Sequence, residues 1–356
     1  NFMIATPTTR WLLKINEENN MRYDTYYNPN RVTNYPRETG ARSGYWDDNE
    51  KLRFLYESLI SNYSKDNKEL ESLKQECLSM DNFQRINNPR CRTWWQAVLN
   101  KEPIVGVGIM LGFVREEHKL GAIQVKFENG LKGWFKPCGL HNEYPENEVI
   151  SSEIEYLLGF HRAPPSVMRN MTVESLLSLV EKDSMFYPLD QKYYFLDQTY
   201  ATCSENGMLR GALTGWWDGL EDGVSLPKIE KYMRHYYPGS NIKNEREKLT
   251  PFENAEEVHS HVLLYILNII RKPGKNEFIS YHNHRKIFMG VDLDRAEFTS
   301  GLIHEQPTFC TGCTIGEETL NILKLAGDNY LEFSKELQET VKTFGGFYLS
   351  TKQLTV

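Results

Sequence analysis

No stretch of the chain approaches the roughly 18 to 20 consecutive apolar residues that a bilayer-spanning helix needs; the longest candidate runs from Val262 to Ile270. A broad basic field is lacking too. Lys and Arg number 41 against 48 Asp and Glu, a formal charge of -7, so no nucleic-acid partner that relies on phosphate neutralisation is expected. No internal repeat is visible. The chain starts at Asn1 with neither an initiator Met nor a charged-then-apolar leader, a start compatible with an upstream signal peptide or anchor. What it does carry is 40% hydrophobic residues, with 20 Tyr and 7 Trp, enough apolar surface to fold 356 residues into one two-lobed unit or two coupled domains.

Six cysteines (Cys77, Cys91, Cys138, Cys203, Cys310 and Cys313) form an even set that permits three disulfides in about 15 connectivities. The sequons at Asn62 and Asn170 are glycan acceptors if the chain enters the secretory pathway. His259-x-His261, His282-x-His284 and Cys310-x-x-Cys313 have spacings seen in zinc sites. Only one Cys-x-x-Cys exists, however, and residues two apart on a predicted helix diverge. For Cys310 and Cys313 a local disulfide, or separate disulfides to distant cysteines, is therefore the expected use.

The first 50 residues, rich in Asn, Arg, Tyr and Pro, read as an irregular arm through Ala41-Arg42-Ser43-Gly44. From Asp48 to Met80, apolar residues recur at helical spacing. Strands follow over Ile104 to Phe113, Ala122 to Phe127 and Gly133 to Lys136, the last two joined as a hairpin by Glu128-Asn129-Gly130. A helix is predicted from an Asn147 cap to Leu158, closed by Gly159. Pro164-Pro165 then breaks the chain. Beyond Asn170 the pattern is mostly helical (Val173 to Val180, Leu226 to Tyr236, Glu256 to Ile270, Glu317 to Thr343), with two short strands between Phe278 and Val291. This order predicts an α+β fold: an N-terminal arm and helical segment over 1–100, a small strand-rich lobe over 101–170 and a larger helical lobe over 171–356.

Gly106-Val107-Gly108-Ile109-Met110-Leu111-Gly112 has the makings of a phosphate loop, where missing side chains let backbone amides approach an anion. A bulged or tightly packed strand is the competing reading. Lys136 ends a predicted strand and Glu148 opens the next helix. A strand lysine held by a helix glutamate is one way to grip nucleotide phosphates; a surface lysine and a solvated first-turn glutamate are the plainer alternative.

The run Phe127-Glu128-Asn129-Gly130-Leu131-Lys132-Gly133-Trp134-Phe135-Lys136-Pro137, then Glu148, then Leu157 through Pro165 and Asn170-Met171-Thr172, resembles the secretory-pathway kinase family of the Golgi casein kinase and the glycosaminoglycan xylosylkinase. Fainter likenesses continue at Cys203 to Leu213 and Cys310 to Leu323, so the resemblance spans roughly residues 100 to 340. It implies an atypical protein-kinase-like two-lobed fold, and ATP with Mn²⁺ or Mg²⁺ bound by Lys136, Glu148 and Asp292; Gly106 and Gly108 join them if the glycine run is a phosphate loop. It also implies structural roles for Cys203, Cys310 and Cys313, and a Golgi-lumenal or secreted location. Asp292 matches the family's metal-binding aspartate after a strand, although the glycine that normally follows is missing. Asn268 and Arg271 match the end of the catalytic helix, but Ile270 stands where the family has its catalytic aspartate. An isoleucine cannot take a proton from a hydroxyl. Asp294, two residues past Asp292, is the nearest substitute base.

Three functions follow as expectations. One is a kinase acting on secreted proteins or glycans. Another is a pseudokinase that binds or activates a true kinase of the same family. The third is an extracellular binding protein without nucleotide, using arm aromatics such as Tyr23, Tyr26, Tyr27 and Trp46 for recognition.

Overall fold

The computed structural model describes residues 42–63, 68–109, 123–137, 144–179, 208–222, 277–282, 285–291, 293 and 330–349. Four helices come first: α1 (Arg42–Ser61), α2 (Lys68–Ser79), α3 (Asn82–Asn87) and α4 (Pro89–Lys101). Helix α1 thus begins inside the stretch expected to be irregular. Strands β1 (Ile104–Ile109), β2 (Ile123–Phe127) and β3 (Lys132–Pro137) precede α5 (Pro145–Leu157), β4 (Ser166–Thr172), α6 (Val173–Leu179) and β5 (Met208–Gly215). A short β6 (Glu221–Asp222), a hairpin of β7 (Glu277–His282) and β8 (Arg285–Gly290), and α7 (Tyr330–Gly345) complete the described elements. None of these helices is long and apolar enough to cross a membrane.

Strands β1 to β5 form one antiparallel sheet in the order β1-β2-β3-β5-β4, and β6-β7-β8 form a second. The first sheet draws on Met208–Gly215, so its strands reach beyond the 101–170 interval. The β2–β3 turn is set by Gly130 at φ +86°, a conformation that favours glycine.

Directly paired residues share a face, which gives the five-stranded sheet two unlike sides. The packed side carries Val107, Val125, Phe135, Val167, Met171, Leu209 and Leu213, against which α4 lies. All residues of α4 from Cys91 to Leu99 are buried, including Trp94 and Trp95. Its start is fixed by Asn88, whose side chain accepts from the Arg90 and Cys91 amides, with Pro89 in the first turn. Its last carbonyls are taken by Arg169 of β4, which donates to the Leu99 and Glu102 oxygens at 2.8 and 3.0 Å. Two glycines are required on this side. A Cβ on Gly215 would come 2.6 Å from the Trp95 ring, and one on Gly211 would come 2.3 Å from the Lys136 carbonyl oxygen.

The opposite side carries Gly106, Gly108, Gln124, Lys126, Lys132, Trp134, Lys136, Ala212 and Thr214. Helix α5 covers part of it, with Val149 packed against Met168 and Ala212. We call it the cleft face.

Candidate functional site

Lys136 sits near the end of a central strand, opposite Ala212, whose small side chain leaves room for the lysine stem. Its Nζ donates to Glu148 Oε2 at 2.8 Å, and the two residues are 3% and 2% exposed. Glu148 belongs to the first turn of α5. That helix begins at Pro145 rather than at an Asn147 cap, because proline supplies a preset φ and its missing N–H costs nothing in the first turn. The strand lysine and helix glutamate are therefore joined and buried; neither is the solvated surface group of the plainer reading.

The same helix carries two further buried glutamates. Glu153 accepts from Arg92 Nη2 at 2.8 Å, Arg92 Nη1 at 3.4 Å and Gln96 Nε2 at 2.9 Å, which ties α5 to α4. Arg92 also reaches Ser152 Oγ at 3.2 Å and lies over the Tyr156 ring. Burial pushes the Glu153 carboxyl up, and Arg92 opposes that shift. Glu155 accepts the Arg162 backbone N–H, and burial raises its pKa to about 7.

The turn after α5 explains what its distinctive residues do. Gly159 ends the helix at φ +72°, and His161 follows at φ +54° with its ring stacked on Tyr156. The chain folds back so that the Glu155 side chain grips residue 162. The Arg162 carbonyl then accepts the Gly290 N–H at 2.9 Å, and Ser151 Oγ donates to the Leu293 carbonyl at 3.3 Å. The backbone on both sides of position 292 is thus tied to α5 and the turn that follows it, at a serine one turn beyond Glu148.

Gly106 and Gly108 lie in β1, which carries a register shift between Ile104 and Gly106, and both are buried. The bulged strand is what the backbone adopts at these two glycines. Asp292, Asp294, Asn268, Ile270, Arg271, Cys203, Cys310 and Cys313 lie outside the described residues, as do the arm aromatics except Trp46, which falls in α1. Among the described residues no cluster of three or more His, Cys, Asp or Glu stands ready to hold a metal. Both sequon asparagines are placed: Asn170 is exposed on β4, an edge strand, and Asn62 is partly exposed just after α1. Cys77 and Cys91 form a disulfide that joins α2 to α4, with a Cα–Cα distance of 5.2 Å. Parity of the cysteine count allowed this pair, but nothing in their spacing singled it out.

A mixed helix and antiparallel-sheet molecule with a buried strand-lysine to helix-glutamate pair is a two-lobed, protein-kinase-like fold. Comparison with solved structures gives the same answer. The chain is similar to the Golgi casein kinase with Mn and ADP bound (TM-score 0.53, 16% identity, covering 83% of this chain and 84% of that one). A second Golgi casein kinase structure matches with TM-score 0.55 at 16% identity over the same shares. The structure of hydra Fam20 with sugar matches with TM-score 0.50 at 14% identity, covering 72% and 82% of the two chains. No protein-family model and no curated protein matches by sequence.

Proposed function

We propose that this protein is a secretory-pathway kinase-fold protein that binds ATP with Mn²⁺ or Mg²⁺ in the cleft beside α5. The observation that carries this reading is the buried pair of Lys136 and Glu148. An ammonium taken out of water on the cleft face and held by a carboxylate suits a phosphate oxygen as a further partner. Lys136 binds the phosphates, while Glu148 orients the lysine and, with Asp292, offers oxygen ligands to the cation, the ligand type a hard divalent ion prefers. The role given to Asp292 is supported by the bonds from Ser151 Oγ to the Leu293 carbonyl and from the Gly290 N–H to the Arg162 carbonyl, which hold its flanking backbone beside α5 and the turn after it. When bound, the nucleotide supplies a transferable phosphoryl group.

The fold shared with the Golgi casein kinase, the disulfide between Cys77 and Cys91 and the solvent-reaching sequons support a Golgi-lumenal or secreted location. A secreted protein or a glycan is the acceptor if transfer occurs, with Asp294 as base and Asn268 and Arg271 beside it. A second reading rests on the resemblance, which aligns Ile270 with the family's catalytic aspartate and so suits a pseudokinase that acts by binding a true kinase of the same type.

Thermal-shift titration with ATP and Mn²⁺ or Mg²⁺ tests the binding step. A stabilising shift in the wild type that disappears in Lys136→Ala is expected; no shift with any nucleotide would refute the proposal. Radiolabel transfer to casein or a xylose-bearing glycan, compared with Asp292→Ala, then divides kinase from pseudokinase.

A further inference from the structure

Helices α1, α4, α5 and α7 meet around a small cavity of about 10 Å³, whose lining includes Asn49, Arg92, Glu153, Tyr156, Thr340 and Phe344. That volume is about the least that admits one water molecule. Asn49 stands out among these residues. It is 4% exposed, and its Nδ2 has no hydrogen-bond acceptor among the described residues. An amide donor taken out of water and left unpaired is costly, so its place at a junction of four helices points to a partner that is not a side chain.

The groups around the cavity define that partner. Glu153 Oε1 receives Arg92 Nη2 at 2.8 Å and Gln96 Nε2 at 2.9 Å, whereas the bond to Oε2 is the longer one from Arg92 Nη1 at 3.4 Å. A carboxylate oxygen with one long bond has room for a second donor. Thr340 gives its hydroxyl proton to Glu336 Oε1 at 3.4 Å, and Glu336 is held by Arg53, so the Thr340 oxygen is left as an acceptor. The occupant must therefore accept a hydrogen bond from Asn49 and donate to Glu153 and Thr340. Water has that inventory. An ammonium or metal ion cannot accept from Asn49 and would face the Arg92 and Arg53 guanidiniums, which also line the cavity. An anion would face the Glu153 carboxylate with no proton to give.

We propose that the junction of α1, α4, α5 and α7 binds one internal water molecule, held by Asn49 Nδ2, Glu153 Oε2 and Thr340 Oγ1, which ties α1 and α7 to the Arg92–Glu153 pair. The site is independent of the nucleotide. No group in it takes part in phosphate or cation binding.

The test needs no added ligand. In a crystal structure of the full chain that resolves ordered solvent, a density peak is expected about 2.7–3.2 Å from Asn49 Nδ2, the ordinary hydrogen-bond range, and within the same reach of Glu153 Oε2 and Thr340 Oγ1. In solution, water protons should cross-relax with the Asn49 side-chain amide, with the sign that marks a held molecule rather than a passing one. Asn49→Leu, close in volume but without a donor, should lose the peak. Among the described residues no hydrogen bond joins Asn49 Nδ2 to Thr340, so a double-mutant cycle of Asn49→Leu with Thr340→Val reads the bridge itself. Their effects on the unfolding constant should depart from additivity by about threefold or more, as for residues that share a partner. A wild-type cavity without a density peak, a peak that survives in Asn49→Leu, or additive effects in the cycle overturns the proposal. The two wild-type measurements decide it even where a variant fails to fold.

Discussion

Helix α5 carries two buried ion pairs five residues apart on its own sequence, and they are built differently. At Glu153 the carboxylate collects both Arg92 nitrogens and Gln96, and the arginine lies over an aromatic ring between packed helices. At Glu148 the bond described is the one from Lys136, on the face of the sheet opposite α4. A buried charge that is fully satisfied by fixed neighbours serves the scaffold. A lysine carries three donors on a flexible stem, and the proposed nucleotide site draws on them. One end of the helix therefore anchors it, and the other presents it.

The largest effect is expected where that anchoring is removed. Arg92→Ala leaves Glu153 charged or protonated without its partner and should cost about 3–5 kcal/mol in urea unfolding. The double variant Arg92→Leu with Glu153→Leu should recover most of that loss, since no buried charge remains. If Arg92→Ala costs no more than a surface substitution, the distinction between the two ends is wrong.

Next comes the disulfide, which holds the start of α4 directly beside Arg92. Replacing Cys77 and Cys91 by Ser should lower stability by about 2–4 kcal/mol, the usual range for a loop of this length. Because this change acts on the scaffold end, the nucleotide-induced thermal shift should persist in the variant. Its disappearance would mean that the two ends are not separable.

Smaller in stability but decisive in binding is Lys136→Ala, with an expected cost of about 1–3 kcal/mol for one stranded acceptor. Glu148 lies in the first turn of α5, where the helix dipole favours a negative charge, and this offsets part of the loss. The expected signature is modest destabilisation with complete loss of the nucleotide shift. Comparing its urea midpoint with that of Arg92→Ala measures the asymmetry directly.

The two ends also differ in how far they can be read from sequence. Lys136 and Glu148 are 12 residues apart, on a strand and the helix that follows it, and local pattern plus the family-like run from Phe127 to Pro137 marks both. The β2–β3 hairpin was equally legible, from alternation around an Asn-Gly turn. Arg92 and Glu153 are 61 residues apart, and nothing local links them. Helix α4 lacks an amphipathic stripe because it is buried all round, which hides it from a periodicity search; Asn88-Pro89 was the signal that could have found its start. Strand β4 was obscured by Arg169, a charged residue on the packed side that caps α4, and β5 by Gly211 and Gly215, which read as breakers but make room for Phe135 and Trp95.

The third glutamate of the helix, Glu155, gives the smallest effect and a separate handle on the anchored end. Its folded pKa is raised to about 7 chiefly by burial, against an unfolded value of 4.5. Between those values the folded chain keeps the proton that the unfolded chain releases, so the contribution of Glu155 to stability is greatest below about pH 4.5 and falls as pH rises toward 7, flattening above. For this group the loss amounts to at most about 2 kcal/mol between pH 5.5 and 7.5. Glu155→Gln keeps an oxygen to accept the Arg162 N–H but cannot titrate. Melting curves of wild type and variant across that range should therefore diverge in slope, with the variant flatter. Glu153 remains in both proteins and its own pH dependence cancels in the comparison, so parallel slopes would show that the buried carboxylate at 155 does not hold its proton.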